Sequence, residues 1–197
     1  MNTRIFTIAL FVTAVSFGAV GCKKKEKTVE TPKPAGEVRI VEYCSGPEYM
    51  STKDAFRANA TGESLDRETA KKKARSNANA ELAKTISATM KIVGDNYVNS
   101  TEFNNKEEVT ETFQEMSRTL VDQELRGAKK ICDEVTMKTV GDQVTYVSYI
   151  AIELSGASIA DAYNKTLSQN EKIKADYNYE KFKETFEKEM AKFSEGK

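Results

Sequence analysis

The chain has no histidine, no tryptophan and only three prolines in 197 residues. Without histidine it lacks the commonest general base near neutral pH and the commonest transition-metal ligand. Ser–His–Asp and Cys–His nucleophile systems are therefore excluded. No Cys-x-x-Cys, no Walker-type phosphate loop and no G-x-G-x-x-G occurs, so the common redox, phosphate and dinucleotide signatures are missing. A charge excess is missing too. Thirty Lys and Arg balance thirty Asp and Glu, which argues against a general nucleic-acid binder. Asp95, Tyr97, Asn99 and Thr101 alternate loosely like a calcium loop, but Ser100 stands where glycine is needed and Lys106 where glutamate is needed. No enzyme, no metal site and no cofactor is expected.

The first stretch that is informative lies at the start. Arg4 precedes an apolar run over residues 5–20, which ends in Ala19-Val20-Gly21-Cys22. A positive start, an apolar centre and small residues mark an export signal. The run is shorter than the ~20 residues of a comfortable membrane span. Its last four residues resemble the bacterial lipobox, where signal peptidase II cuts before a cysteine that carries diacylglyceryl and acyl chains such as palmitate. Ala19 stands where leucine is usual, and a plain secretory signal cut nearby is the competing reading. On the lipobox reading, residues 1–21 are a lipoprotein signal peptide and Cys22 is the lipidation site. Two or three acyl chains anchor stably, because each buried methylene contributes ~0.8 kcal/mol. Removing Arg4 leaves a formal charge of −1.

Residues 22–37 then form a flexible tether, charged and interrupted by Pro32 and Pro34. Fully extended it reaches about 50 Å at ~3.3 Å per residue. Lys23, Lys24 and Lys25 read as part of a solubilising spacer, or as contacts to anionic head groups.

Residues 38–197 are expected to be one α+β domain: a small antiparallel sheet of three to four strands, a long Ala-rich helix and a second helix packed on it, and a helical C-terminal segment. Residues 38–44, VRIVEYC, read as a strand. In residues 55–63, Phe56, Ala58, Ala60 and Gly62 alternate with Arg57, Asn59, Thr61 and Glu63, a period-two strand pattern. Ala70, Ala74, Ala78, Leu82 and Ile86 repeat at i+4 and predict a helix over 64–93, capped by Ser64 or Asp66 and closed by Gly94. Lys71, Lys72, Lys73 and Arg75 read as its solvated face. Residues 95–104 read as a mobile loop, and Val109, Phe113, Met116 and Leu120 predict a helix over 105–125. Residues 127–139 and 143–154 predict a hairpin turning at Gly141-Asp142, its second strand central because both faces are apolar. Ile131, Val135 and Met137 are expected on one face of its first strand.

Cys44 and Cys132 remain once Cys22 is assigned to lipid. They are a candidate disulfide in an exported chain, or two buried free thiols. After residue 155, Ile159, Ala162, Tyr163 and Leu167 make one helical stripe. Tyr179, Phe182, Phe186, Met190 and Phe193 make another. Its bland reading is packing on its own domain; its functional reading is a partner-binding helix face.

A lipobox, a strand ending ANATGES, a helix with A-x-x-x-A-x-x-x-A and ELAKTI, and a hairpin ending VTYVSYIAIEL together resemble the lipoprotein-20 family. That family includes outer-membrane lipoprotein antigens, and a similar domain occurs in a flagellar T-ring assembly protein. The resemblance covers residues 56–154. It implies helices on a small antiparallel sheet, no known enzyme activity and no catalytic residues to carry over. The expected function is a non-enzymatic, lipid-anchored outer-membrane lipoprotein that binds or scaffolds envelope components. Its expected partners are the membrane, through the anchor, and an envelope protein or peptidoglycan; nucleic acid is not among them, and homo-oligomerisation is left open. The domain would face either the periplasm or the cell surface. The alternative is a carrier of a small hydrophobic ligand or lipid, using aromatic residues around Tyr146, Tyr149 and the C-terminal phenylalanines.

Overall fold

Asp66 opens the longest element of the chain. Its carboxylate accepts a hydrogen bond from the Thr69 N–H at 2.7 Å, which satisfies one of the free donors of a helix start. The same bond holds the Asp66 carboxyl below its ordinary pKa. Helix α1 then runs Arg67–Ser100 in the computed structural model, which describes Gly36 and residues 40–195. The expected signal peptide, Cys22 and nearly all of the tether lie outside the described residues.

Strand β1 (Ala55–Ser64) precedes α1, and helix α2 (Lys106–Glu124) follows it. Strands β2 (Lys129–Val140) and β3 (Gln143–Ser155) form the hairpin, and helices α3 (Gly156–Gln169) and α4 (Tyr179–Glu195) complete the chain. The architecture is α+β, with a three-stranded antiparallel sheet ordered β1-β3-β2. β3 is central, as its two apolar faces predict. Ser148, Ile150, Ile152 and Leu154 are buried on one face and Ala151 on the other.

Facing partners in the register explain the layer above. Phe56 pairs with Leu154, Ala58 with Ile152, Ala60 with Ile150 and Gly62 with Ser148. Directly opposed residues share a face, so this row forms the floor on which α1 lies. Ala70, Ala74 and Ala78 are fully buried on it. At Gly62 the approach is closest: a Cβ there would sit 2.4 Å from both the Ala70 carbonyl oxygen and the Ala74 nitrogen.

Beyond the sheet, α1 continues into a helical cluster. Tyr97 is its hub, with ring centroids 5.7 Å from Phe103, 5.9 Å from Phe113 and 5.8 Å from Phe182. At the sheet end, Phe56 meets Phe186 and Phe193 at 6.5 and 6.0 Å. Aromatic edge contacts of this kind stabilise beyond simple burial.

Three expectations are corrected. Gly94 does not close α1. It lies inside the helix, where a Cβ would come within 3.1 Å of the Phe113 ring, so the glycine serves close helix–helix packing. Val93, Tyr97 and Val98 carry the buried stripe onward, and the expected loop over 95–104 shrinks accordingly. The described part of the expected strand over 38–44 is not a strand. Cys44 has φ 53, a left-handed conformation that interrupts any ladder. Finally, Ile131 departs from the alternation of Val135 and Met137, because the register shifts between Lys130 and Cys132 and a bulge breaks the period of two.

Candidate interaction surfaces

The outer face of the sheet, away from α1, carries the first candidate surface. Cys132 lies opposite Ala151 on this face. The Cys132 sulfur is bonded to Cys44 at 2.10 Å, with Cα atoms 5.5 Å apart. The bond lays the segment before β1 over the sheet face, where Tyr43 meets the Tyr149 ring edge-on at 5.5 Å. An ion pair reinforces this latch. Arg57 Nε and Nη2 reach Glu153 Oε2 at 2.7 and 2.6 Å, while Arg57 Nη1 donates to the Glu48 carbonyl at 3.0 Å. Ile40, Val41 and Tyr43 stay exposed, so the described chain begins with apolar side chains in solvent.

The C-terminal helix is turned the other way. Phe182 and Met190 are fully buried and Phe186 nearly so, while Tyr179 and Phe193 are partly exposed. The face expected to receive a partner therefore packs on its own domain. Phe182 fills the Tyr97 cluster, and Phe186 and Phe193 cover Phe56. Polar bonds fix the helix in place. The Tyr97 hydroxyl accepts from the Asn178 N–H at 2.8 Å, and Asn178 Oδ1 caps the Lys181 N–H at 3.0 Å. Buried Glu189 accepts from Asn96 of α1 at 2.9 Å and pairs with Lys192 at 2.6 Å.

The aromatic residues expected to serve a carrier do not come together. Tyr146 and Tyr149 are an odd number of residues apart in an unbroken strand, so they lie on opposite sheet faces. Of the C-terminal phenylalanines, Phe182 and Phe186 are in the core and Phe193 packs against it. The largest of the surface grooves found, about 680 Å³, runs between α3 and α4 beside Lys53, Asp54, Ala160, Tyr179 and Phe186. Charged Lys53, Asp54, Asp161, Lys183 and Glu187 share its lining with small alanines, Tyr179 and the buried Phe186. Asp95, Tyr97, Asn99 and Thr101 lie on and just past the end of α1, where a rigid helix cannot wrap a cation. Among the described residues no group of acidic or sulfur ligands is placed to hold a metal ion, and no helix is long and apolar enough to cross a membrane.

No family model matches the chain, and no curated protein matches it.

The sheet edges form the last candidate surface, and sequence reading did not single them out. The β1 edge is capped by side chains. The Ser51 hydroxyl accepts from the Arg57 N–H at 2.9 Å and donates to the Arg57 carbonyl at 3.2 Å. Asn77 donates to the Thr61 carbonyl at 2.9 Å and Lys73 to the Glu63 carbonyl at 3.1 Å. Lys73 thus has a structural task within the run that reads as a solvated face. Arg75 has another: its guanidinium donates to the Ala128 carbonyl at 2.9 Å, just before β2. Among the described residues β2 has no comparable cover. Met137 is 63% and Val140 74% exposed. Its charged residues, Lys129, Lys130, Asp133, Glu134 and Lys138, are of the kind edge strands carry.

Proposed function

We propose that this protein is a non-enzymatic lipoprotein anchored through Cys22 to the bacterial outer membrane, binding or scaffolding other components of the envelope. The observation that carries this reading is the run Ala19-Val20-Gly21-Cys22 directly after an apolar export signal. The Cys44–Cys132 bond supports it, because disulfides persist in oxidising compartments outside the cytosol. Lys23 follows the anchor in place of the aspartate that often retains lipoproteins at the inner membrane. The order of strand, alanine-striped helix and hairpin accords with the lipoprotein-20 resemblance.

The anchor and tether place the domain within about 50 Å of a bilayer, a distance that suits contact with peptidoglycan or a neighbouring envelope protein. Cross-linking in intact cells, followed by purification and mass spectrometry, tests the scaffold reading. A reproducible protein or peptidoglycan adduct is expected. A protein that yields no adduct and retains a lipid on purification would replace it with the carrier reading.

A further inference from the structure

The unlike edges of the sheet point to a specific partner. β1 is closed by Ser51, Asn77 and Lys73, whereas no described residue closes the outer edge of β2. Gly141 has φ 61, Asp142 has no positive φ, and these two residues alone separate the paired Val140 and Gln143. This is a two-residue turn of the II′ type, in which the Val140 carbonyl accepts from the Gln143 N–H. Hydrogen bonding to β3 then alternates back along β2. Residues 134, 136, 138 and 140 bond inward. The N–H and C=O groups of Asp133, Val135, Met137 and Thr139 point away from the sheet, and nothing among the described residues caps them. α1 lies over β1 and β3 rather than β2, so no helix among the described residues packs over this edge.

We propose that β2 pairs antiparallel with β2 of a second copy of this chain, about a two-fold axis through Thr136, to make one continuous six-stranded sheet. That axis sets Val135 opposite the second copy's Met137 and Asp133 opposite its Thr139, and all four residues carry outward-pointing backbone groups. On the other face it sets Glu134 opposite the second copy's Lys138, twice by symmetry, with Thr136 opposite itself. Among axes on residues 134–138, this one alone opposes unlike charges. Axes on Glu134 or Lys138 oppose like charges, which is destabilising in directly facing pairs. An isologous contact must be complementary to itself, and this stretch is. Lys138 pairs with Glu63 of its own chain at 2.7 Å, with both side chains about half exposed, and in the dimer it exchanges that partner for Glu134 of the second copy. Exposed Met137 meets Val135 instead of water. The proposal is independent of the lipid anchor.

The test uses the full-length protein. Thr136→Cys places two thiols opposite each other across the axis, at the ~4.5 Å Cα separation of a non-hydrogen-bonded pair, within disulfide reach. Mild oxidation in membranes is expected to give a reducible dimer well above the wild-type level, and Thr139→Cys is not. Light scattering on purified protein is expected to show a wild-type dimer. Lys138→Glu is expected to weaken it at least tenfold, and the double swap Glu134→Lys with Lys138→Glu to restore it. The charge-swap series also stands if the cysteine variant fails to fold. A wild-type monomer at the highest soluble concentration would overturn the proposal. So would equal cross-linking at residue 139, a double swap that restores nothing, or a cross-linked band containing a different protein.

Discussion

Gly62→Ala is the most informative single change in the fold. A Cβ at this position would lie 2.4 Å from the Ala70 carbonyl oxygen, 2.4 Å from the Ala74 nitrogen and 2.9 Å from the Lys73 Cβ. Two of those three atoms are helix backbone, which cannot rotate aside as a side chain can. α1 must therefore lift from the sheet by about 1 Å, and the fully buried Ala70, Ala74 and Ala78 lift with it. Overpacking a core typically costs ~1–3 kcal/mol, and a rigid obstacle belongs at the upper end. Replacing glycine by alanine in a strand returns ~0.5–1 kcal/mol of chain entropy. The net expectation is a loss of about 2–2.5 kcal/mol, which for a domain of this size lowers Tm by roughly 4–10 °C. Thermal melting by circular dichroism, with urea midpoints at unchanged m, measures it directly. A variant within 0.5 kcal/mol of wild type, or a stabilised one, would show that α1 does not sit against β1 as described.

The remaining predictions concern the latch, one buried hydroxyl and pH. Replacing Cys44 and Cys132 together by serine opens a loop of 88 residues' separation and is expected to cost about 4–5 kcal/mol in the chain-entropy model; unchanged melting with and without reductant would sink this. The Tyr163 hydroxyl is buried and makes no hydrogen bond of ordinary geometry among the described residues. Tyr163→Phe should therefore be neutral or stabilising by up to ~1 kcal/mol in urea unfolding, and a loss above that would reveal a bond to this hydroxyl. Burial pushes the Tyr163 hydroxyl up to about 12 and raises Tyr97 and Tyr177 as well. In the folded protein these groups stay neutral where unfolded tyrosines ionise, so stability is full below about pH 10 and falls as pH rises toward 12. Urea midpoints that stay flat across that window would contradict the burial. At the acid end, Asp66, Glu108 and Glu184 are held below ordinary carboxyl values by Thr69, Lys172 and Lys188 respectively, so their contribution should disappear as pH falls through about 4.

Much of the architecture follows from periodicity in the chain. The alternation from Phe56 to Gly62 and the i+4 alanines specify β1 and α1 because each pattern has one sensible buried face. The β-branched and aromatic run from Val144 to Ile152 specifies a central strand. The misreadings arise where a residue type has two uses. Gly94 reads as a helix stop, yet the glycine is there to admit Phe113. Residues 38–44 read as a strand on composition, yet the described ones, 40–44, lie outside the sheet and Cys44 has a left-handed backbone. The C-terminal stripe of Tyr179, Phe182, Phe186, Met190 and Phe193 suits a partner or a core equally well, and only the positions of Tyr97 and Phe56 decide between them. The edge of β2 is less legible still, because strand order determines which backbone groups remain open, and no local pattern encodes that order.

The reading of function rests on Cys22, and intact-mass and peptide mass spectrometry of protein extracted from native membranes tests it most directly. The expected mature chain begins at Cys22 and carries diacylglyceryl and acyl mass on that residue, and Cys22→Ser abolishes both the modification and membrane retention. A mature chain that begins elsewhere, with an unmodified Cys22, would contradict the lipoprotein assignment.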